Sequence, residues 1–184
     1  MNRCKKYVFG AMVALPLFYF SGCRNAARVP YRFDLAGNLG TFVVTAGAPT
    51  QNDGTGNLGN SNPNISGGAI LLSPDDITFT PANTGTGKGL TTFQTGGGSF
   101  TVTAAIAAFA DSATVCDTPV DEYGPFTVTL NADWTVNSIS PSSIELESTT
   151  VDLINTSQFS LCLTVESTVD GTVTIDALSF QLGL

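Results

Sequence analysis

Few side chains in this sequence could carry out chemistry, because it contains no histidine. Histidine is the usual general base near neutral pH and the commonest zinc ligand. A Ser-His-Asp or Cys-His catalytic site is therefore excluded. A Ser–Lys pair could use only Lys88, which lies in the Gly-rich segment Gly-Thr-Gly-Lys-Gly without rigid support. This segment is no phosphate-binding loop either, because the spacing from Lys88 to a following Ser or Thr is wrong. We interpret Lys88 as a solvated loop residue.

Carboxylates are the remaining catalytic candidates, since two of them about 5–10 Å apart can hydrolyse a glycosidic bond. Candidates are Asp133 beside Trp134, and Glu145 with Glu147, which a strand would place on one face. Sugar clefts usually offer several aromatic rings, whereas this chain has a single Trp. Trp134 lies two residues before Val136, so in a strand both would point to the same face, as core residues do. We therefore expect a protein that is not an enzyme, with a carboxylate glycosidase as the less favoured alternative.

Calcium is the cofactor candidate, because it binds 6–8 oxygen ligands such as those of carboxylates and amides. Asp117, Asp121 and Glu122 form the densest cluster of carboxylates, and Asn52–Asn57 and Asp75–Asp76 are weaker candidates. Asp and Asn are also good turn formers, so ordinary turns explain the same residues. A calcium-assisted carbohydrate-binding module is therefore an alternative function, and otherwise we expect no cofactor.

The N-terminus has the pattern of an export signal. Arg3, Lys5 and Lys6 precede an apolar run over residues 7–20, and small residues follow. The apolar run is short for a transmembrane helix, which needs roughly 20 residues. An ordinary secretory signal and an uncleaved anchor are the alternatives to the interpretation that follows.

Ser21, Gly22 and Cys23 complete this segment, after Phe20. The arrangement resembles the lipobox of bacterial lipoproteins, although Phe20 stands where Leu is usual. The resemblance covers the first 23 residues and implies cleavage before Cys23 and lipidation of Cys23. Arg24 is not the Asp that retains lipoproteins at the inner membrane, so the resemblance implies a protein anchored to the bacterial outer membrane or cell surface.

The mature chain would be strongly acidic. It would keep all 15 Asp and Glu residues and only Arg24, Arg28, Arg32 and Lys88 as cations. Nucleic-acid binding depends on Lys and Arg contacts to phosphates, so we expect no nucleic-acid partner. Docking on anionic headgroups is disfavoured for the same reason. The membrane would be contacted through the acyl anchor.

Two cysteines would remain for a disulfide, Cys116 and Cys162. An even pair in an oxidising compartment predicts a bond. It would close a loop of about 47 residues, which the chain-entropy model values at about 4 kcal/mol. Two buried or free thiols are the alternative.

The remaining sequence predicts strands. Strand candidates, several with apolar residues at alternate positions, occur near residues 31–35, 41–45, 69–72, 77–80, 100–103, 126–130, 134–136, 144–146, 159–165 and 173–184. Residues 46–68 and 81–99 are rich in Gly, Asn and Thr and predict long loops. Asp170-Gly171 predicts a tight hairpin, and the phase change at Ala177-Leu178 predicts a β-bulge.

These patterns predict an all-β fold, an antiparallel β-sandwich or jelly roll in one domain. We expect a signal peptide over residues 1–22, a lipidated tether over 23–30 and the sandwich over 31–184. The sequence favours a non-enzymatic surface protein that acts in binding, adhesion or envelope structure, with a glycan or an envelope protein as the partner.

Overall fold

The computed structural model describes residues 28–35, 40–56, 64–87, 90–93, 96–108 and 117–183. Within these ranges the chain forms antiparallel strands and one α-helix. The strands are β1 (Arg28–Asp34), β2 (Thr41–Val44), β3 (Pro49–Gly56), β4 (Gly67–Leu71), β5 (Ile77–Pro81), β6 (Asn83–Gly87), β7 (Leu90–Phe93), β8 (Ser99–Ala108), β9 (Asp121–Leu130), β10 (Val136–Ser140), β11 (Ser143–Glu145), β12 (Phe159–Ser167), β13 (Gly171–Ile175) and β14 (Ala177–Gly183), and the helix is α1 (Ser148–Thr156). The predicted all-β fold is confirmed.

One layer is a five-stranded sheet with the order β10-β9-β8-β12-β3. Its long central strands follow the predicted alternation. In β12, Leu161, Leu163 and Val165 point into the core, while Thr164 and Glu166 lie on the outer face. Side chains of a strand point alternately to opposite faces, so this apolar period of two selects the buried face.

The facing layer consists of two sheets, with the orders β1-β14-β4-β11 and β2-β13-β5. Only Asp176 separates β13 from β14, so one path through both sheets is nearly continuous. The N–H of Asp176 donates to the carbonyl oxygen of Asp76 at 2.8 Å, and the N–H of Leu35 donates to the carbonyl oxygen of Asp176 at 2.8 Å. Backbone pairing therefore continues across the break between the two sheets.

A single apolar core joins the two layers. Phe79 of β5 stacks on Phe100 of β8 with ring centroids 6.1 Å apart. Phe159 of β12 packs against Phe180 of β14 with centroids 6.2 Å apart. Aromatic pairs at such separations add to the free energy gained by burying apolar area.

The two predicted loops contain strands, so these predictions were wrong in part. β3 lies within residues 46–68 and pairs along its length with β12. β6 and β7 lie within residues 81–99 and pair with each other. β3 is the end strand of its sheet, so it gains backbone hydrogen bonds without needing a buried apolar face, and no apolar period reveals it.

The predicted hairpin at Asp170-Gly171 was also wrong. β12 and β13 lie in different sheets, and β13 pairs with β2 and β5. Glycine is needed at 171 because a Cβ there would lie 2.6 Å from Cζ of Phe79. The phase change at Ala177-Leu178 is likewise no bulge, because it marks the passage of the chain from β13 to β14 past Asp176.

Helix α1 and the start of β1 also differ from expectation. α1 follows Glu147 in a segment without helical prediction, and it buries Thr150 and Ile154. Its Ser, Thr, Val and Asp residues are weak helix formers, so packing rather than propensity stabilises it. β1 begins at Arg28, which pairs with Gly183, so three residues assigned to the tether belong to the sheet.

The outer edge of β1 is protected by Pro30. The N–H of Leu35 points toward the chain at Asp176, and alternate residues of an antiparallel strand direct their backbone groups to opposite sides. Pro30 therefore faces outward, where its missing N–H removes a donor that an added strand would need. At the edge of β2, Thr50 and Asn52 donate side-chain hydrogen bonds to the carbonyl oxygens of Val43 and Thr41, at 3.3 and 2.9 Å.

We predict that Pro30→Val promotes self-association, because it restores a backbone donor at the middle of an exposed edge. Sedimentation velocity over a concentration series should show more dimer or larger species for Pro30→Val than for the unmodified protein. Pro119→Val, in the turn before β9, is the control and should not associate. A Pro30→Val protein that sediments as the unmodified protein does would contradict this account of the edge.

Candidate functional site

The two ends of the sandwich differ in construction. At one end, which we call the β1 end, Arg28, Gly67 and Gly183 lie side by side on adjacent strands. At the other, the turn end, β12 finishes beside the start of β8 and the start of β3. The turns at residues 45–48, 131–135 and 168–170 lie at the turn end, where loops at the end of a rigid sandwich commonly carry function.

A cleft of about 270 Å³ opens at the turn end. It is lined by Gly47, Ser99, Phe100, Thr101, Glu166, Ser167 and Thr168. These residues come from β8, from the end of β12 and the turn after it, and from the turn that joins β2 to β3. The cleft therefore depends on the pairing of distant parts of the chain.

Hydrogen bonds hold the walls of the cleft in place. Thr168 donates through Oγ1 to the carbonyl oxygen of Ser99 at 2.9 Å, and the N–H of Ser99 donates back to this Oγ1 at 3.0 Å. The N–H of Gly47 donates to the carbonyl oxygen of Ser167 at 2.8 Å. The buried hydroxyl of Ser167 donates to the carbonyl oxygen of Val169 at 2.7 Å. This frame positions the one charged group of the cleft, Glu166.

Glu166 is exposed and lies on the outer face of the five-stranded sheet, between Thr101 of β8 and Pro49 of β3 in the strand register. A carboxylate accepts hydrogen bonds through two oxygens and attracts a cation. The alternation of Val165 with Glu166 predicts that Glu166 points away from the core. The sequence could not indicate its neighbours, because they come from strands distant in the chain.

Trp134 lies at the same end and packs against the core, as its phase predicted. Its ring centroid is 5.4 Å from that of Phe79, and the ring is only partly buried. Its backbone has a φ of 69°, in the left-handed region, so Trp134 belongs to a turn rather than to a strand.

Asp133 serves the turn that contains Trp134. It accepts hydrogen bonds from the hydroxyl of Thr135 at 2.6 Å and from the N–H of Thr135 at 3.1 Å. These bonds, the hydroxyl bond first, lower the pKa of Asp133 below its ordinary value. A carboxylate stabilised in this way acts as a turn residue and not as a general acid.

The structure does not bring Asp117, Asp121 and Glu122 together around one point. Asp117 lies in the exposed turn before β9, and Asp121 and Glu122 are consecutive in β9, so their side chains point to opposite faces. The described parts of the chain contain no group of three or more Cys, Asp or Glu side chains that could hold a metal ion. The calcium site stays a prediction from the sequence.

Asp121 instead bonds to side chains in the first turn of α1. Its Oδ2 accepts hydrogen bonds from the hydroxyls of Thr149 and Thr150, the latter at 2.6 Å. Tyr123 donates to Oγ1 of Thr150 at 2.7 Å, and the N–H of Glu147 donates to the Tyr123 hydroxyl at 3.1 Å. This network, which we call the Tyr123 network, satisfies buried hydroxyls and fixes α1 against β9.

The other predicted catalytic carboxylates are also separated. β11 ends at Glu145, which forms an ion pair with Arg28 at 3.1 Å. Glu147 precedes α1 as its N-cap residue. The alternation predicted that Glu145 and Glu147 share one strand, and this prediction was wrong. Of the weaker calcium candidates, Asn52 bonds to β2 and Asp76 pairs with Arg32 at 2.8 Å.

Of the predicted disulfide pair, Cys116 lies outside the described residues, among which Cys162 is the one cysteine. Cys162 is 1 % exposed and packs with Ala105 and Ala107 on the outer face of the five-stranded sheet. The N–H of Val120 donates to the carbonyl oxygen of Ile106 at 2.7 Å. The chain just before β9 is thus bonded to β8, the strand next to Cys162. The disulfide between Cys116 and Cys162 stays a prediction.

Cys23, with the predicted signal, and Lys88 also lie outside the described residues. Over the ranges that are described, no helix has the length and apolar character needed to cross a membrane. No protein-family model matches the chain, and no match was found among curated proteins or among solved structures.

We predict that Thr150→Val destabilises the protein by about 1–3 kcal/mol, because it leaves the buried Tyr123 hydroxyl without its acceptor. The free energy of unfolding in urea gives the measurement. Thr149→Val is the matched control, since Thr149 bonds to the same carboxylate but is exposed, and we expect a smaller loss. Equal losses in the two variants would contradict a special role for the Tyr123 network.

We also predict a loss of stability at high pH that depends on Tyr123. Burial raises the pKa of Tyr123 above its ordinary value of 10.0. The stabilisation from the neutral hydroxyl is therefore complete below the unfolded pKa and is lost as pH rises through the folded pKa. The difference in unfolding free energy between the unmodified protein and Tyr123→Phe should shrink as the pH rises above about 10. A difference that stays constant over this range would contradict the prediction.

Proposed function

We propose that the protein is a lipid-anchored, non-enzymatic surface protein of the bacterial envelope that makes its contacts through the turn end. The observation that carries the proposal is the short distance along the chain between Cys23 and β1. β1 begins at Arg28, so four residues, 24–27, link the predicted lipidated cysteine to the sandwich. The β1 end would then face the membrane.

The tether is short compared with the domain. The five steps along the chain from Cys23 to Arg28 span at most about 18 Å, whereas a domain of about 155 residues is about 40 Å across. An upright sandwich would therefore hold the turn end away from the bilayer. The path from Gly183 back to Gly171 leads from the β1 end to the turn end, along up to about 40 Å of extended chain.

The absence of histidine supports a binding role rather than catalysis, and so do the partners of the carboxylates. Asp121 is bound to the first turn of α1, Asp133 to its own turn and Glu145 to Arg28. Each of these three carboxylates is engaged in a hydrogen bond or an ion pair that stabilises the fold. The cleft with Glu166, in contrast, opens to solvent on a face built by β8, β12 and the turns beside them.

The proposal also includes a disulfide between Cys116 and Cys162, because export would expose both cysteines to oxidising conditions. A lipobox implies passage through an oxidising compartment, and a bond there would tie the segment before β9 to β12. We place the protein in the outer membrane or at the cell surface, because Arg24 follows the predicted acylated cysteine. A calcium-assisted carbohydrate-binding module gains no support from the positions of Asp117, Asp121 and Glu122.

We predict that the protein extracted from membranes of an expressing bacterium has an intact mass that begins at Cys23 and is raised by acyl chains. Cys23→Ala should lose this added mass and should leave the membrane fraction, because the acyl chains supply the membrane affinity. Cys116→Ala, expressed in parallel, should keep both the acyl mass and the membrane location. An unmodified mass that begins at another residue would contradict the proposed anchor.

A further inference from the structure

We propose that the turn-end cleft binds the side chain of a lysine residue on a partner polypeptide, with Glu166 as the group that receives its ammonium. This inference deepens the proposed function, on which it rests for the statement that the cleft faces away from the membrane. The binding itself depends only on the sandwich. It can therefore be tested separately from the anchor.

Charge is the first argument. In the described chain, the cations are Arg28 and Arg32, both on β1, and both form ion pairs, with Glu145 and Asp76. At the turn end, Glu166 carries negative charge with no described ion pair. An acidic protein whose described cations are bound elsewhere attracts a basic partner, and an exposed carboxylate in a small cleft gives that attraction a fixed position.

The dimensions of the cleft favour one side chain over a larger ligand. Its volume of about 270 Å³ lies below the range of about 300–1,000 Å³ that is usual for sites enclosing whole small molecules. A lysine ammonium offers three hydrogen-bond donors on a flexible apolar stem. The stem can lie along Gly47 and the strand backbone, while the ammonium reaches Glu166 and the hydroxyl of Thr101.

A sugar fits the same cleft less well. Sugar rings are held by stacking on exposed aromatic faces, and Phe100, the aromatic residue of the lining, is 1 % exposed. Trp134 contacts Phe79, and its ring is not part of the lining. Hydroxyls from Ser99, Thr101 and Thr168 could bond a sugar, but without a stacking surface they contribute little net free energy in water.

The experiment is a titration of the isotope-labelled mature protein with the neutral-capped peptide acetyl-Gly-Lys-Gly-amide, followed by amide chemical shifts. We expect saturable shifts at millimolar peptide that are centred on Gly47, Thr101 and Thr168. Glu166→Gln should weaken binding at least about tenfold, which corresponds to about 1.4 kcal/mol. Glu122→Gln removes one exposed carboxylate elsewhere and should leave the affinity unchanged.

Three results would overturn the proposal: no saturable shifts, shifts that both variants weaken equally, or stronger shifts with acetyl-Gly-norleucine-Gly-amide or with a monosaccharide. Equal weakening would mean that only net charge attracts the peptide. The titration of Cys23→Ala should match that of the lipidated protein. Loss of the anchor and loss of binding are therefore separate outcomes, one concerning the proposed function and the other concerning the cleft.

Discussion

The nearly continuous path of β13 and β14 is the constraint on which the rest of the fold depends. β13 lies between β2 and β5, and β14 lies between β1 and β4, so both strands are paired on both sides. The single residue between them, Asp176, donates to one neighbouring segment and accepts from the other. Removing backbone partners at this point would leave buried polar groups unsatisfied in the facing layer.

The same path also separates the two ends of the molecule. The short connection from Cys23 to β1 assigns the β1 end to the membrane in our proposal, and the antiparallel register then assigns the turn end to the opposite side. Described basic residues lie on β1 and are neutralised by ion pairs, whereas Glu166 is exposed at the turn end. A protein built in this way can be held close to a bilayer while its contact surface faces outward.

The sequence predicted the strands whose apolar period reflects burial, because burial on one face is what that period measures. For this reason the sequence predicted β12 and the second half of β9, residues 126–130. β3 was not predicted, since an edge strand is stabilised by backbone bonds to β12. α1 was not predicted either, since most of its residues are weak helix formers and packing buries its Ile154. The cleft around Glu166 could not be predicted, because the residues around it meet only through strand pairing between distant segments.

The orientation on the membrane is the central claim, and the single Trp of the sequence tests it directly. The lipidated protein would be placed in vesicles that contain brominated lipids, which quench tryptophan fluorescence on contact, and compared with Trp134→Phe carrying Val29→Trp at the β1 end. We predict that Trp134 keeps its fluorescence while the tryptophan at position 29 is quenched. Strong quenching of Trp134 in the membrane-bound protein would contradict the account, because it would place the turn end at the bilayer.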